Sequence, residues 1–281
     1  GEMDNKGVDA NLEYQTRIGN KVGLRLFGNL TYSKNKIVFR DEPAMQYAYQ
    51  KSEGTRYGEF YGYIAEGYFQ SEEEIKKSPR QMRELAPGDI KYKDLNDDGV
   101  IDANDQCYLG KSWFPSWSYG MGFNINYHNF DLALFFQGVS DVSIMANGGS
   151  IDTGNGDWGA SGVGIVPFTG MGLNPSNVIT KALDRWTADN PRADAWYPRM
   201  TANATTNDNN YVNSTHWLKD GSYLRLKQAS LGYTLENKKL MDKGIEYLYF
   251  YLSGQNLLTF SKFKLWDPEL GSNGAKYPLS R

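Results

Sequence analysis

Alternation of apolar and polar residues dominates the chain and predicts strands. From Val8 to Thr16, the apolar Val8, Ala10, Leu12 and Tyr14 alternate with Asp9, Asn11, Glu13 and Gln15, the pattern of a strand with one dry face and one wet face. Ile18-Gly19-Asn20-Lys21 reads as a short turn. Val22, Leu24, Leu26, Leu30 and Tyr32 then carry the apolar face onward opposite Arg25, Asn29 and Thr31, so the two segments predict a hairpin. The clearest hairpin follows Pro115. Tyr119, Met121, Phe123, Ile125 and Tyr127 alternate with Gly120, Gly122, Asn124 and Asn126, His128-Asn129 turns the chain, and Phe130, Leu132, Leu134 and Phe136 return opposite Asp131 and Gln137. Strands resume at Ser222 to Thr234 and Ile245 to Gln255. In the latter, Tyr247, Tyr249 and Tyr251 alternate with Leu248, Phe250 and Leu252, so one side suits lipid and the other protein.

The stretches between these strands behave differently. Residues Ser33 to Tyr57 lose the alternation and read as a long loop, and Gly58 to Phe69, rich in Tyr and Gly, predicts a return to the sheet. Ser71-Glu72-Glu73-Glu74 has the form of a capping box, Ser78-Pro79 suits the start of another helical turn, and Pro87-Gly88 ends that excursion. The segment from Val139 to Trp217 exceeds a plain loop of a compact domain. Within it, Gly148 to Gly172 is glycine-rich and carries Trp158. Asn177 caps an expected helix with Val178, Ile179, Ala182, Leu183 and Trp186 on one face, ending before Pro191. The polar run Thr201 to Asn210 reads as solvated. No fixed-period repeat is present, only recurring strand and loop modules.

Composition fits many strands joined by polar turns: 14% aromatic residues, with 20 Tyr, 13 Phe and 30 Gly in 281 residues, at a mean hydropathy of -0.61. That length allows one large β domain or two ordinary ones. The net charge of -3 gives no basic footprint, so nucleic acid is not an expected partner. Cys107 is the only cysteine, which excludes an intrachain disulfide and a cysteine-rich zinc site, and His128 and His216 are expected to be structural or exposed. No apolar run reaches the roughly 18 to 20 residues of a membrane helix, but barrel strands read as polar on average. Gly1-Glu2-Met3-Asp4 shows no basic start before an apolar run, so a secretory signal is expected to have been removed or to lie outside this piece.

The most specific candidate chemistry is the stretch Asp94 to Asp105. As a twelve-residue loop it places Asp94, Asn96, Asp98, Asp102 and Asp105 at positions 1, 3, 5, 9 and 12, Gly99 at 6 and Val100 at 7, the calcium pattern of an EF-hand. Hard oxygens from Asp94, Asn96, Asp98, Asp102 and Asp105, with the Val100 carbonyl, would surround one cation. Gly99 permits the sharp turn, and Ile101 would pin the loop to a core or partner segment. Position 12 is Asp rather than Glu, and no paired helices flank it; the plainer reading is an Asx-rich surface turn. Gly110-Lys111-Ser112 fails as a phosphate loop because the required glycine is Asp105. Asn29-Leu30-Thr31, Asn203-Ala204-Thr205 and Asn213-Ser214-Thr215 match a glycosylation pattern that is common by chance. No catalytic constellation emerges, so an enzyme is not expected. Trp113, Trp117, Trp158, Trp186 and Trp196 suit loop packing and interfacial anchoring, or else stacking on sugars or gripping a lid protein.

Several separated blocks, in order, carry a family resemblance: Gly88-Asp89-Ile90-Lys91-Tyr92-Lys93-Asp94 with Gly110 and Pro115; Phe130-Asp131-Leu132 with Phe136-Gln137-Gly138; Ser222-Tyr223-Leu224-Arg225-Leu226-Lys227 with Leu231-Gly232-Tyr233; and Ser253-Gly254-Gln255-Asn256-Leu257-Leu258-Thr259 with Asp267-Pro268-Glu269. From about Asn5 to Arg281 the chain resembles the SusC/RagA-like TonB-dependent transporters of Bacteroidetes outer membranes. The resemblance implies an all-β fold, an antiparallel transmembrane β-barrel segment with long extracellular loops. It also implies import of nutrient oligomers, glycans or peptides, under a SusD-like surface lipoprotein, powered through TonB. Barrels of this class have about 22 strands and a plugged lumen, whereas about eight strand candidates occur here. The chain is therefore expected to be the C-terminal part of the barrel, incomplete without the plug and N-terminal barrel of the same polypeptide, bounded by outer-membrane lipid and lacking a last strand beyond Tyr277-Pro278-Leu279-Ser280-Arg281. The calcium would be structural, in an extracellular loop. The rival reading is a secreted calcium-dependent carbohydrate-binding β domain, in which Tyr14, Leu24, Phe123, Leu132 and Phe136 would point into a sandwich core rather than out to lipid.

Overall fold

The computed structural model describes residues 1–147, 180–200 and 208–273. In chain order its strands are β1 (Glu2–Ile18), β2 (Val22–Phe39), β3 (Glu59–Gly62), β4 (Ala65–Tyr68), β5 (Ile90–Tyr92), β6 (Cys107–Ser112), β7 (Trp117–Tyr127), β8 (Phe130–Ser140), β9 (Ser143–Met145), β10 (Leu218–Asp220), β11 (Tyr223–Leu235) and β12 (Leu248–Ser261), with short helices α1 (Glu72–Lys77) and α2 (Lys238–Met241). The alternating segments become one antiparallel sheet in the order β1-β2-β7-β8-β11-β12. Among the described residues, β1 and β12 have no strand beyond them, so the sheet is an open wall rather than a closed barrel.

Register explains why each strand needs its alternation. Directly paired residues share a face, and the pairs Tyr14↔Leu26, Leu26↔Phe123, Phe123↔Leu134, Leu134↔Ala229 and Ala229↔Gly254 run across all six strands. One row lower, Thr16↔Leu24, Leu24↔Ile125, Ile125↔Leu132, Leu132↔Leu231 and Leu231↔Leu252 do the same. A register slip of one residue in any strand would turn its whole apolar set to the other face. That other face carries Glu13, Gln15, Arg25, Asn29, Asn124, Asn126, Asp131, Gln137 and Gln255; the Glu13–Arg25 ion pair at 2.8 Å and the Tyr249 hydroxyl donating to Asp131 at 3.0 Å lie on it.

The apolar face is banded. Tyr32 and Trp117 meet at 4.4 Å between ring centroids at one end, and Phe130 and Tyr233 meet at 4.7 Å at the other, where Tyr127 also lies. Trp117 and Tyr127, at the two ends of β7, are about 33 Å apart along an ideal strand. A tilt of about 40° projects this to about 25 Å, the height of the apolar band of a transmembrane barrel with its two aromatic girdles. At the Tyr127 end the connections are short turns at Gly19–Lys21 and His128-Asn129, the latter with His128 at φ 51, and a link through α2. All long excursions leave from the Trp117 end, the asymmetry of periplasmic turns and extracellular loops.

Those excursions build a rim with its own core. Phe60, Tyr63, Tyr68, Ile90, Tyr92, Ile101, Ile144, Trp186, Tyr197, Tyr211, Trp217 and Phe263 belong to one buried cluster, and no residue of the six long strands does. A sandwich core on the sheet's apolar face is thus ruled out among the described residues: Tyr14 is 55% exposed, and Leu24, Phe123, Leu132 and Phe136 share its face without a covering layer.

Several expectations for the rim need correcting. Residues Ser33 to Phe39 continue β2 instead of opening a loop, because their backbones pair with β1 above the apolar band, where alternation is no longer required. Gly58 to Phe69 supplies strands, but β3 pairs with β6 and β4 with β5 in small separate sheets, not in the wall. The capping serine at Ser71 accepts from Glu74 N at 3.2 Å and starts α1, while the Glu74 carboxylate reaches past it to Gln70 N. No helical turn follows Ser78-Pro79; Arg80 runs extended beside Val100. Among the described residues, the helix expected up to Trp186 is a 3-10 turn at Thr180–Leu183, since Arg185 and Trp186 turn extended to bond Tyr197; Leu183 is exposed while Ala182 and Trp186 are buried. Asn177, Val178, Ile179, Trp158, the Gly148 to Gly172 stretch, Asn203-Ala204-Thr205 and the terminal Tyr277 to Arg281 lie outside the described residues.

Candidate functional site: the rim and its acidic loop

Backbone groups in the rim are paired by buried amide side chains rather than by long ladders. Gln81 donates to Ile90 O at 2.8 Å and to Asn209 Oδ1 at 2.9 Å, and accepts from Tyr92 N at 2.7 Å. Asn210 accepts from Ile90 N at 2.8 Å and donates to Asp89 at 2.8 Å. Asp89, 1% exposed, also meets Arg199 Nε at 2.7 Å and accepts from Ala86 N at 2.9 Å. The Tyr92 hydroxyl donates to Asn209 O at 2.6 Å, and burial pushes its pKa up. This spine fixes β5, and β5 leads into Asp94. Local sequence does not reveal it, because Asn209, Asn210 and Arg199 lie more than a hundred residues from the partners they meet; the polar run ending at Asn210 reads as solvated, yet Asn209 and Asn210 are fully buried.

The acidic loop is held tightly at both ends. Ile101, 1% exposed, donates its N–H to Arg80 O at 2.8 Å, and Arg80 N donates to Gly99 O at 3.0 Å, so the pinning role expected of Ile101 is met by the segment after Pro79. Asp105 is fully buried and accepts from Leu95 N at 2.7 Å and Asp102 N at 2.8 Å, tying the two halves of the loop together. Asp94 Oδ2 accepts from Gly99 N at 2.8 Å, Asp98 Oδ1 from Val100 N at 2.8 Å, Asn96 Oδ1 from Asp98 N at 3.1 Å, and Asp102 Oδ1 from Asn104 N at 2.7 Å. Gly99 adopts φ 81, the turn its position requires. Among the described residues, no three His, Cys, Asp or Glu side chains converge as a metal-holding group. One observation does suit a cation: Asp94 Oδ1 is buried and accepts no hydrogen bond.

His216 and Cys107 are structural. His216 lies 3.1 Å from Trp196 O and edge-on to Trp217, and burial together with Lys219 pushes its pKa down to about 3. Burial raises the Cys107 thiol, which disfavours a nucleophilic thiolate. Of the tryptophans, Trp186 is buried, Trp196 packs on Trp217, Trp117 sits in the upper girdle, and Trp113 is 53% exposed beside Phe114.

An apolar outer face with two girdles, a polar inner face and a folded rim at one end define a wall segment of an outer-membrane β-barrel. Comparison with known proteins finds TonB-dependent receptors among the similar sequences. No family model matches. The TonB-dependent receptor P3 of Formosa agariphila is 27% identical over 283 residues, spanning 96% of this chain and 25% of that protein. The TonB-dependent receptor P26 of the same organism is 30% identical over 210 residues, spanning 74% and 18%. In fold, the chain matches the RagAB peptide importer in its closed-closed state with a TM-score of 0.67 at 21% identity, over 98% of this chain and 28% of that one, and in its open-open state with a TM-score of 0.64. The chain thus spans between 18% and 28% of the length of these relatives.

Proposed function

We propose that this chain is the wall and extracellular rim of a transporter that imports nutrient oligomers across the outer membrane by TonB-dependent transport. The observation that carries this reading is the register: it propagates a single apolar face, girdled at both ends, through six strands, and proteins similar in sequence are named TonB-dependent receptors. The remainder of the same polypeptide, with its plug and N-terminal barrel, would pair the free edges of β1 and β12, since open edges are not tolerated in lipid. TonB would act through that remainder, and a SusD-like surface lipoprotein would dock on the rim.

The role of this chain is structural and electrostatic. It supplies a lipid-compatible outer surface, a hydrophilic lumen lined by residues such as Glu13, Arg25, Asn124 and Asp131, and a rigid rim. A calcium ion at the acidic loop would be held by Asp94, Asn96, Asp98, the Val100 carbonyl, Asp102 and Asp105, with the orphaned Asp94 oxygen as its best-prepared ligand. Its contribution would be to offset the repulsion of the loop carboxylates and keep the rim rigid.

Uptake by intact cells tests the import reading and separates the substrate classes. Cells lacking the full-length gene, supplied with labelled oligopeptides or oligosaccharides, should lose uptake of one class, and loss of TonB should abolish the same uptake. Equal uptake with and without the gene for both classes would overturn it.

A further inference from the structure

Above the upper girdle, the outward face of the wall changes from apolar to cationic within one step of the ladder. Val8 pairs with Tyr32 at the girdle, and the next outward pair is Lys6↔Lys34, followed by Asp4↔Lys36. Like charges directly opposite on one sheet face repel, and all three lysines are exposed. Among the described residues, neither Lys6 nor Lys34 forms an ion pair, so none of these residues relieves that repulsion; Asp4 stands one step away, opposite Lys36.

Height gives the pair its meaning. Two residues beyond Tyr32 correspond to roughly 6 to 7 Å along the strand and about 5 Å along the membrane normal at a barrel's tilt. That is the headgroup layer immediately above the acyl chains. We propose that Lys6 and Lys34, with Lys36 beside them, form a binding site for the phosphate of an anionic lipid of the outer leaflet. A phosphate between the two ammonium groups would turn a repulsive cross-strand pair into a bridged one, while the lipid chains lie along Tyr32, Val8, Leu30 and Ala10 below. The inference rests on the orientation of the wall and not on what the transporter imports.

The test uses the full-length transporter in nanodiscs containing phosphorylated lipid A, with retained lipid counted by native mass spectrometry after detergent exchange. Lys6→Gln combined with Lys34→Gln should weaken retention roughly thirtyfold if each lysine acts as one does at an anionic surface. Enzymatic removal of the lipid phosphates should weaken it similarly, and Lys21→Gln, in the turn at the opposite end, should leave it unchanged. Unchanged heat-modifiable gel mobility would certify that the variants fold. Equal retention by wild type and double variant, or indifference to dephosphorylation, would overturn the site. Inorganic phosphate binding the detergent-solubilised protein with a lysine dependence but without lipid would overturn the lipid assignment. No lipid on either protein would overturn it as well, together with the wall orientation it rests on.

Discussion

His216 packs edge-on against Trp217 at 4.7 Å and lies 5.5 Å from the Tyr68 ring, in an environment where a positive charge is costly. Its folded pKa, about 3, lies below its ordinary 6.5, so the unfolded chain binds the extra proton between those values. Rim stability is therefore full above pH 6.5 and falls as pH drops toward 3, by up to about 1.4 kcal/mol per unit. Melting followed by tryptophan fluorescence should show this slope, and His216→Phe should flatten it; identical slopes would refute the assignment. In the acidic loop, Asp94→Ala combined with Asp98→Ala should lower calcium affinity measured by calorimetry, from an expected Kd on the order of 10⁻⁴ to 10⁻³ M for an extracellular module. The same change should speed amide exchange at Gly99 and Val100. An unaltered calcium titration with unaltered exchange would mean the loop is an Asx-rich turn only. Gly88→Ala should destabilise the rim without touching the loop: Gly88 has φ 93, and a Cβ there would strike the Trp186 ring.

At the scale of elements, the β7–β8 hairpin makes a sharper prediction. Phe123 lies on the apolar face near mid-strand, paired with Leu26 and Leu134, while its neighbour Asn124 faces the lumen opposite Arg25. Phe123→Arg should cost about 2 to 4 kcal/mol of barrel stability in lipid, and Asn124→Arg much less; equal losses in a urea titration in liposomes would contradict the assignment of faces. These wall strands were legible in the sequence because lipid on one side and water on the other impose a strict period of two. Where that constraint ends, legibility ends. Ser33 to Phe39 remain strand through pairing alone, and β3 to β6 fold into small sheets around a core assembled from distant loops. Gln81, Asn209, Asn210 and Asp89 each look like surface residues until their partners, far along the chain, are placed beside them. The acidic loop is visible as a pattern together with its anchor, Ile101, whereas Ser78-Pro79 reads as a helix start and the Arg80 segment after it is extended and holds Ile101.

In the whole molecule, the apolar face is expected to meet lipid and the opposite face the lumen. A rim core separate from the wall follows from it, as do the free edges at β1 and β12 that the rest of the polypeptide would pair. The most direct measurement is spin-label accessibility scanned singly along residues 117 to 127 of the full-length protein in liposomes, with Cys107 replaced by serine. Strict alternation is expected: labels at Tyr119, Met121, Phe123 and Ile125 relaxed by oxygen dissolved in lipid, and labels at Gly120, Gly122, Asn124 and Asn126 relaxed by a water-soluble nickel complex. Absence of a two-residue period, or lipid contact at the asparagines and glycines, would contradict it.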